Sequence, residues 1–82
     1  MTPYLFIAPV KVKVLVFKTD IRFLQDVRKI AVVLNDTPGI VRWNVDREDI
    51  DNVLRIESGR IEAQEVIAVV RQAGYYCEEL PD

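Results

Sequence analysis

The sequence predicts an α+β fold of two layers, in which two helices cover one face of a four-stranded antiparallel sheet. Three observations indicate this fold. Valines alternate with lysines from Val10 to Val14, as in a β-strand. Two later segments carry apolar residues at helical spacing. Each helical segment is followed by a glycine and then by a further strand pattern, at Gly39-Ile40 and at Gly74-Tyr75.

The first strand is predicted from Val10 to Phe17. Its last four residues, Val14–Phe17, are all apolar, so this half of the strand should be covered on both faces. The alternation breaks at Lys18–Arg22, which is predicted to be a loop.

The first helix is predicted from Phe23 to Leu34, with polar residues between the apolar ones. Pro38 cannot continue a helix and Gly39 accepts a positive φ, so the helix must end within 35–39. The apolar stripe consists of Phe23, Val27, Ile30, Ala31 and Leu34.

The second strand is predicted over Ile40–Val45, and a charged turn, Asp46–Asp51, follows it. The residues of this strand that should share a face are Val41, Trp43 and Val45.

The remaining elements are a strand over Val53–Glu57, a helix over Ile61–Ala73 that ends at Gly74, and a short strand over Tyr75–Leu80. The predicted inward residues are Leu54 and Ile56 on the strand, and Ala63, Val66, Ile67 and Val70 on the helix. The order β-α-β-β-α-β is the ferredoxin-like arrangement. Right-handed crossovers put both helices on one sheet face and leave the other face open, with the second and fourth strands at the edges.

Composition excludes several classes of function. The 82 residues include 11 Lys and Arg against 13 Asp and Glu, a net charge of −2, so no nucleic-acid partner is expected. The chain has no His and a single Cys, which excludes Ser-His-Asp and Cys-His catalysis, His-ligated zinc and an intrachain disulfide. We therefore expect neither an enzyme nor a cofactor. No apolar run approaches the ~20 residues of a membrane-spanning helix, so no membrane insertion is expected.

The first nine residues, MTPYLFIAP, are expected to form an apolar arm, because Pro3 and Pro9 bracket the cluster and disfavour a helix. The arm lacks the basic segment and the length of a secretory signal, and a lone cysteine suits a reducing compartment. We therefore expect a cytoplasmic protein in which residues 10–82 form one domain.

Three segments resemble the heavy-metal-associated domains, the fold of soluble copper chaperones and of the cytosolic modules of metal-pumping ATPases. They are Phe17–Ile21 with the helix after it, Gly39–Asp46, and Ala73–Leu80. The resemblance covers Val12 to Leu80 and implies the same ferredoxin-like sandwich.

The family's metal motif is Cys-x-x-Cys, at the end of the first loop and the start of the first helix. An ungapped match puts Phe23 and Asp26 at the two Cys positions and Ile30 at an apolar position that usually follows. Two thiolates at a helix N-terminus bind soft ions such as Cu(I). Phe23 has no donor atom and Asp26 offers a hard oxygen, so metal binding of the family's kind is expected to be absent.

Each of these residues has a structural interpretation as well. Asp26 should stabilise the start of the helix through the helix dipole, and Phe23 should plug the core at the start of the apolar stripe. Cys77 should be a buried, inert thiol on the last strand. The alternative is that two copies of Cys77 meet across a dimer and bind metal or form a disulfide.

Six residues are predicted to form an interaction surface: Tyr4, Phe6, Ile7, Leu15, Phe17 and Trp43. The prediction rests on the open sheet face, because the helices cover one side while Val14–Phe17 is apolar on both. The arm folding back, a second subunit or another protein could cover that face.

The sequence thus favours a non-enzymatic binding module without the family's metal site, acting through protein–protein contact or self-association, with a homo-oligomer expected. The alternative is a soluble heavy-metal chaperone or sensor with an unconventional or intersubunit site. Small phosphatases and RNA-binding domains share the strand order. However, Lys18–Arg22 has no phosphate-binding glycine, and Val53–Glu57 has no aromatic residue to stack on a base.

Overall fold

The computed structural model describes residues 12–81. Its elements are β1 (Lys13–Thr19), α1 (Leu24–Asn35), β2 (Ile40–Asp46), β3 (Val53–Ser58), α2 (Ala63–Gln72) and β4 (Cys77–Glu79). The four strands form one antiparallel sheet in the order β2-β3-β1-β4. The predicted fold class is confirmed, and so are the two predicted edge strands. The predicted arm, residues 1–9, lies outside the described residues.

The core lies between the two helices and one face of the sheet. Pairing of β1 with β3 puts Leu15 opposite Ile56 and Phe17 opposite Leu54, so these side chains point toward the helices together. Ten residues form the buried cluster: Phe17, Ile21, Ile30, Leu34, Leu54, Ile56, Ile61, Val66, Val70 and Cys77. Full burial of each large apolar side chain stabilises the folded state by about 1.5–3 kcal/mol, relative to leaving that side chain exposed to water.

The first strand continues two residues beyond its predicted end. Thr19 is buried, and its side chain satisfies two backbone groups: the hydroxyl donates to the carbonyl of Asn52 at 2.6 Å and accepts from the N–H of Ile21 at 3.1 Å. Because these bonds fix the chain after the strand, Ile21 turns into the core with no exposed surface. The prediction of a loop over Lys18–Arg22 was therefore wrong at Lys18 and Thr19.

The predicted face of the second strand was wrong at one residue. The pairing of β2 with β3 shifts between Ile40 and Arg42, which forms a β-bulge. The bulge turns Val41 outward, where it is 57% exposed, while Trp43 and Val45 pack against the core. Gly39 precedes this bulge with φ of +95°, and a Cβ there would lie 3.1 Å from the backbone nitrogen of Ile61. The close approach of the two segments thus requires glycine.

None of the helices within residues 12–81 is long and apolar enough to cross a membrane.

Candidate functional site

The loop between β1 and α1 contains the first of the two positions where the resemblance places thiolates. Phe23 is the residue before α1, with an extended backbone (φ −111°, ψ 158°), and its side chain is 62% exposed. The prediction that Phe23 plugs the core was wrong, because it precedes the helix and Ile21 fills the core at this end instead. The next residue, Leu24, is 50% exposed.

Asp26, at the second position, lies in the first turn of α1 and uses both of its carboxylate oxygens. Oδ2 accepts a hydrogen bond from the backbone N–H of Phe23 at 3.0 Å. Oδ1 accepts one from the hydroxyl of Tyr75 at 3.0 Å. Since Phe23 has no side-chain acceptor, Asp26 alone caps this helix end.

These contacts hold the pKa of Asp26 below its usual value. The backbone N–H of Phe23 is the largest cause, opposed by partial desolvation and aided by Tyr75, the Arg22 backbone and the charge of Lys29. In turn, desolvation and the bond to Asp26 raise the pKa of Tyr75.

Two carboxylates, one in the loop before α1 and one in the first turn of α1, tie this part of the chain to the loop after α2. Besides the Asp26–Tyr75 bond, Oδ1 of Asp20 accepts from the backbone N–H of Tyr76 at 2.9 Å. The Nζ of Lys29 lies over the ring of Tyr75, 5.6 Å from its centre, close enough for a cation–π interaction. We call the two carboxylate bonds, Asp26 to Tyr75 and Asp20 to Tyr76, the loop clasp. The clasp fixes the loop that presents Phe23.

The residues at the two motif positions do not fit a soft metal ion. Phe23 supplies no donor, and the oxygens of Asp26 are already engaged by an N–H and an O–H. Within the part of the chain that the structure describes, no three His, Cys, Asp or Glu side chains are grouped so that they could hold a metal ion.

Cys77 lies on β4 with its side chain in the core, and it has no exposed surface. Burial raises the pKa of its thiol to about 12, only partly offset by the charge of Arg71. The guanidinium of Arg71 donates to the Cys77 carbonyl at 3.1 Å. A thiol in this position cannot meet a second copy unless β4 leaves the sheet, which disfavours an intersubunit ligand.

The predicted interaction surface is corrected at Phe17, which is fully buried, and at Leu15, which is half-buried and packs against the core. Strand alternation explains both, because odd-numbered residues of β1 face the helices. Trp43 is half-buried, and its Nε1 donates to Oδ1 of Asn35 at 2.8 Å. The other three predicted residues, Tyr4, Phe6 and Ile7, lie outside the described residues.

Sequence reasoning missed the apolar residues that are exposed near the loop clasp. Phe23 was assigned to the core, and Leu24 was assigned no role. The adjacent pair Phe23-Leu24, which we call the apolar tip, is the exposed apolar feature at the start of α1. A signal was present in the sequence, since two consecutive large apolar residues cannot both face one side of a helix.

Asp26→Asn is expected to lower the urea concentration at which the protein unfolds at pH 7. Because folding lowers the pKa of Asp26, its stabilising effect is present above the usual value of 3.8 and is lost as the pH falls through the folded-state pKa. The difference in urea midpoint between variant and wild type should therefore shrink as the pH is lowered below 3.8. Unfolding curves at several pH values test this.

Asp36→Asn is the matched control, since Asp36 is exposed at the other end of the same helix. Removing a negative charge from a helix C-terminus should leave stability unchanged or slightly raised. A difference between Asp26→Asn and wild type that stays constant across the pH range would contradict the assigned role of Asp26.

No protein-family model and no curated protein matches this sequence. Comparison of the structures does find similar proteins. The first domain of the human copper chaperone for SOD1, in its copper(I)-loaded form, matches with a TM-score of 0.73 at 19% identity, over 84% of this chain and 93% of that one. The N-terminal domain of PacS from Synechocystis matches with a TM-score of 0.72 at 16% identity, over 84% and 98%.

A third match is the apo form of the heavy-metal-associated (HMA) domain of a copper chaperone for superoxide dismutase. Its TM-score is 0.70 at 16% identity, over 99% of this chain and 82% of that one. Sequence identities this low establish the fold rather than the activity. The chain has the fold of the heavy-metal-associated domains, as its sequence predicts, and with a single cysteine it carries that fold without a Cys-x-x-Cys pair.

Proposed function

We propose that this protein is a non-enzymatic binding module that has lost the metal site of the heavy-metal-associated fold and acts through protein–protein contact, in the first instance with a second copy of itself. The observation that carries the proposal is the exposed apolar tip at the position of the first thiolate, where Phe23 is 62% exposed. A large aromatic side chain held in water at a defined place is typical of an interface anchor.

The loop clasp supports this proposal because it makes the tip rigid. A surface that is already ordered loses less conformational entropy on binding than a flexible loop. Asp20 precedes the tip and Asp26 follows it, and each is bonded to the loop after α2, so the chain is held on both sides of Phe23.

Metal delivery is not part of the proposed function. One similar structure is a copper(I)-loaded form. Copper(I) binding needs two soft donors, whereas this chain has Phe23 and an Asp26 whose two oxygens already accept hydrogen bonds. We also propose a cytoplasmic location, because a lone free thiol suits a reducing compartment.

Sedimentation velocity over a micromolar to millimolar concentration series tests self-association. We expect the mass of the full chain to rise with concentration, and the variant Phe23→Ser/Leu24→Ser to remain monomeric. Val32→Ser is the matched control, because Val32 is another exposed apolar residue of α1, at 73% exposure, away from the tip. A strictly monomeric wild type, or equal loss of association in the control, would contradict the assignment.

Titration with Cu(I) and Zn(II) under reducing conditions tests the absence of a metal site. We expect no saturable binding by the wild type. Stoichiometric binding that disappears in Cys77→Ser would instead support the chaperone or sensor interpretation and overturn ours.

A further inference from the structure

The sheet face opposite the helices carries an apolar line along β1. Val12 is 41% exposed and Val14 is 53% exposed, and Val16 follows on the same face with partial exposure. These residues alternate with Leu15 and Phe17, whose side chains enter the core. A central strand with this many exposed β-branched residues leaves apolar surface in water unless another segment covers it.

The apolar line follows one strand and is widened only at Val16, whose carbonyl accepts from the backbone N–H of Leu80 at 2.8 Å. The neighbours of Val14 and Val16 on β3 are Glu57 and Arg55, and Glu78 on β4 lies opposite Lys18. Charged side chains thus border the line along β3, and Lys18 and Glu78 lie beyond its Val16 end. A broad apolar interface would bury these charges, whereas a single extended segment would fit beside them.

The chain itself supplies such a segment close by. Eleven residues precede Val12, and they include the continuous apolar run Tyr4–Ile7. No side chain before Lys11 is charged. Pro9 lies between the run and β1, and proline favours the second position of a reverse turn. Four extended residues span about 13 Å, the length of the line from Val12 to Val16.

We propose that Tyr4–Ile7 folds back over the open sheet face and packs on Val12, Val14 and Val16 of its own chain. This contact is intramolecular and separate from the apolar tip, so it does not depend on the proposed self-association. It assigns the open face to the chain's own arm.

Disulfide trapping tests the proposal. In Phe6→Cys/Val14→Cys, we expect mild oxidation to form an intrachain disulfide at low protein concentration, detected as a faster-migrating monomer on a non-reducing gel. The buried thiol of Cys77, with its pKa raised to about 12, should not compete. The control Phe6→Cys/Gln64→Cys places the second thiol on the exposed side of α2, where no disulfide is expected.

A covalent dimer would mean that a second copy covers the face, and it would overturn the proposal. The absence of any disulfide, with both thiols open to alkylation, would also overturn it. Deleting residues 1–8 gives an independent measurement, since lost packing should lower the Tm by roughly 5 °C or more. Failure of self-association at the tip is detected separately, by sedimentation of Phe23→Ser/Leu24→Ser, and changes neither result.

Discussion

Phe17→Ala is expected to lower the free energy of unfolding by about 3–5 kcal/mol, because it removes a fully buried aromatic ring and leaves a cavity. A small domain has a total stability of about 5–15 kcal/mol, so the variant should retain only part of its folded population at 37 °C. Urea unfolding followed by circular dichroism measures the loss.

Phe23→Ala provides the control within the same residue type. Phe23 is 62% exposed, and its replacement should change the free energy of unfolding by no more than about 0.5 kcal/mol. The two phenylalanines were given the opposite roles on the basis of the sequence, with Phe17 in the surface and Phe23 in the core. Equal effects of the two substitutions would show that the structural assignment is wrong.

Phe23→Cys/Asp26→Cys is expected to bind one Cu(I) per chain, whereas the wild type binds none. The two positions are the residue before α1 and the third residue of its first turn, so two thiolates placed there would face one ion. The helix dipole lowers the pKa of thiols at a helix N-terminus, which favours the metal-binding form. Competition with a coloured Cu(I) chelator under anaerobic, reducing conditions measures the gain.

The single variants Phe23→Cys and Asp26→Cys are the controls, and each should bind Cu(I) far more weakly than the pair. The double variant also loses the bond to Tyr75, so its folding must be verified by circular dichroism. A folded double variant without affinity for Cu(I) would show that the positions of the metal motif are not those assigned from the sequence.

Regular patterns predicted most of the fold. Alternating valines located β1, and the spacing of Ile30 and Leu34 located the inner face of α1, because both periodicities arise from local backbone geometry. The position of Phe23 was mispredicted for a related reason. Phe23 has the spacing of the apolar stripe, yet the helix begins one residue later, at Leu24. Periodicity cannot distinguish the first residue of a helix from the residue before it.

Contacts between distant parts of the chain could not be predicted in the same way. Asp26 and Tyr75 are separated by 49 residues, and no local pattern links them. The bulge at Val41 depends on how β2 pairs with β3 and on the tight contact of Gly39 with Ile61. The sequence therefore located the site on the chain but not its closure by the loop clasp.

The central place of β1 has a consequence for synthesis of the protein. This strand is the first element of the domain to be synthesised, yet its two neighbours are β3 and β4, and β4 is the last element. A nascent chain thus holds one edge of β1 unpaired until β4 has left the ribosome, and such edges promote aggregation. Synthesis of β4, rather than of the earlier elements, sets the moment at which this sheet can be completed.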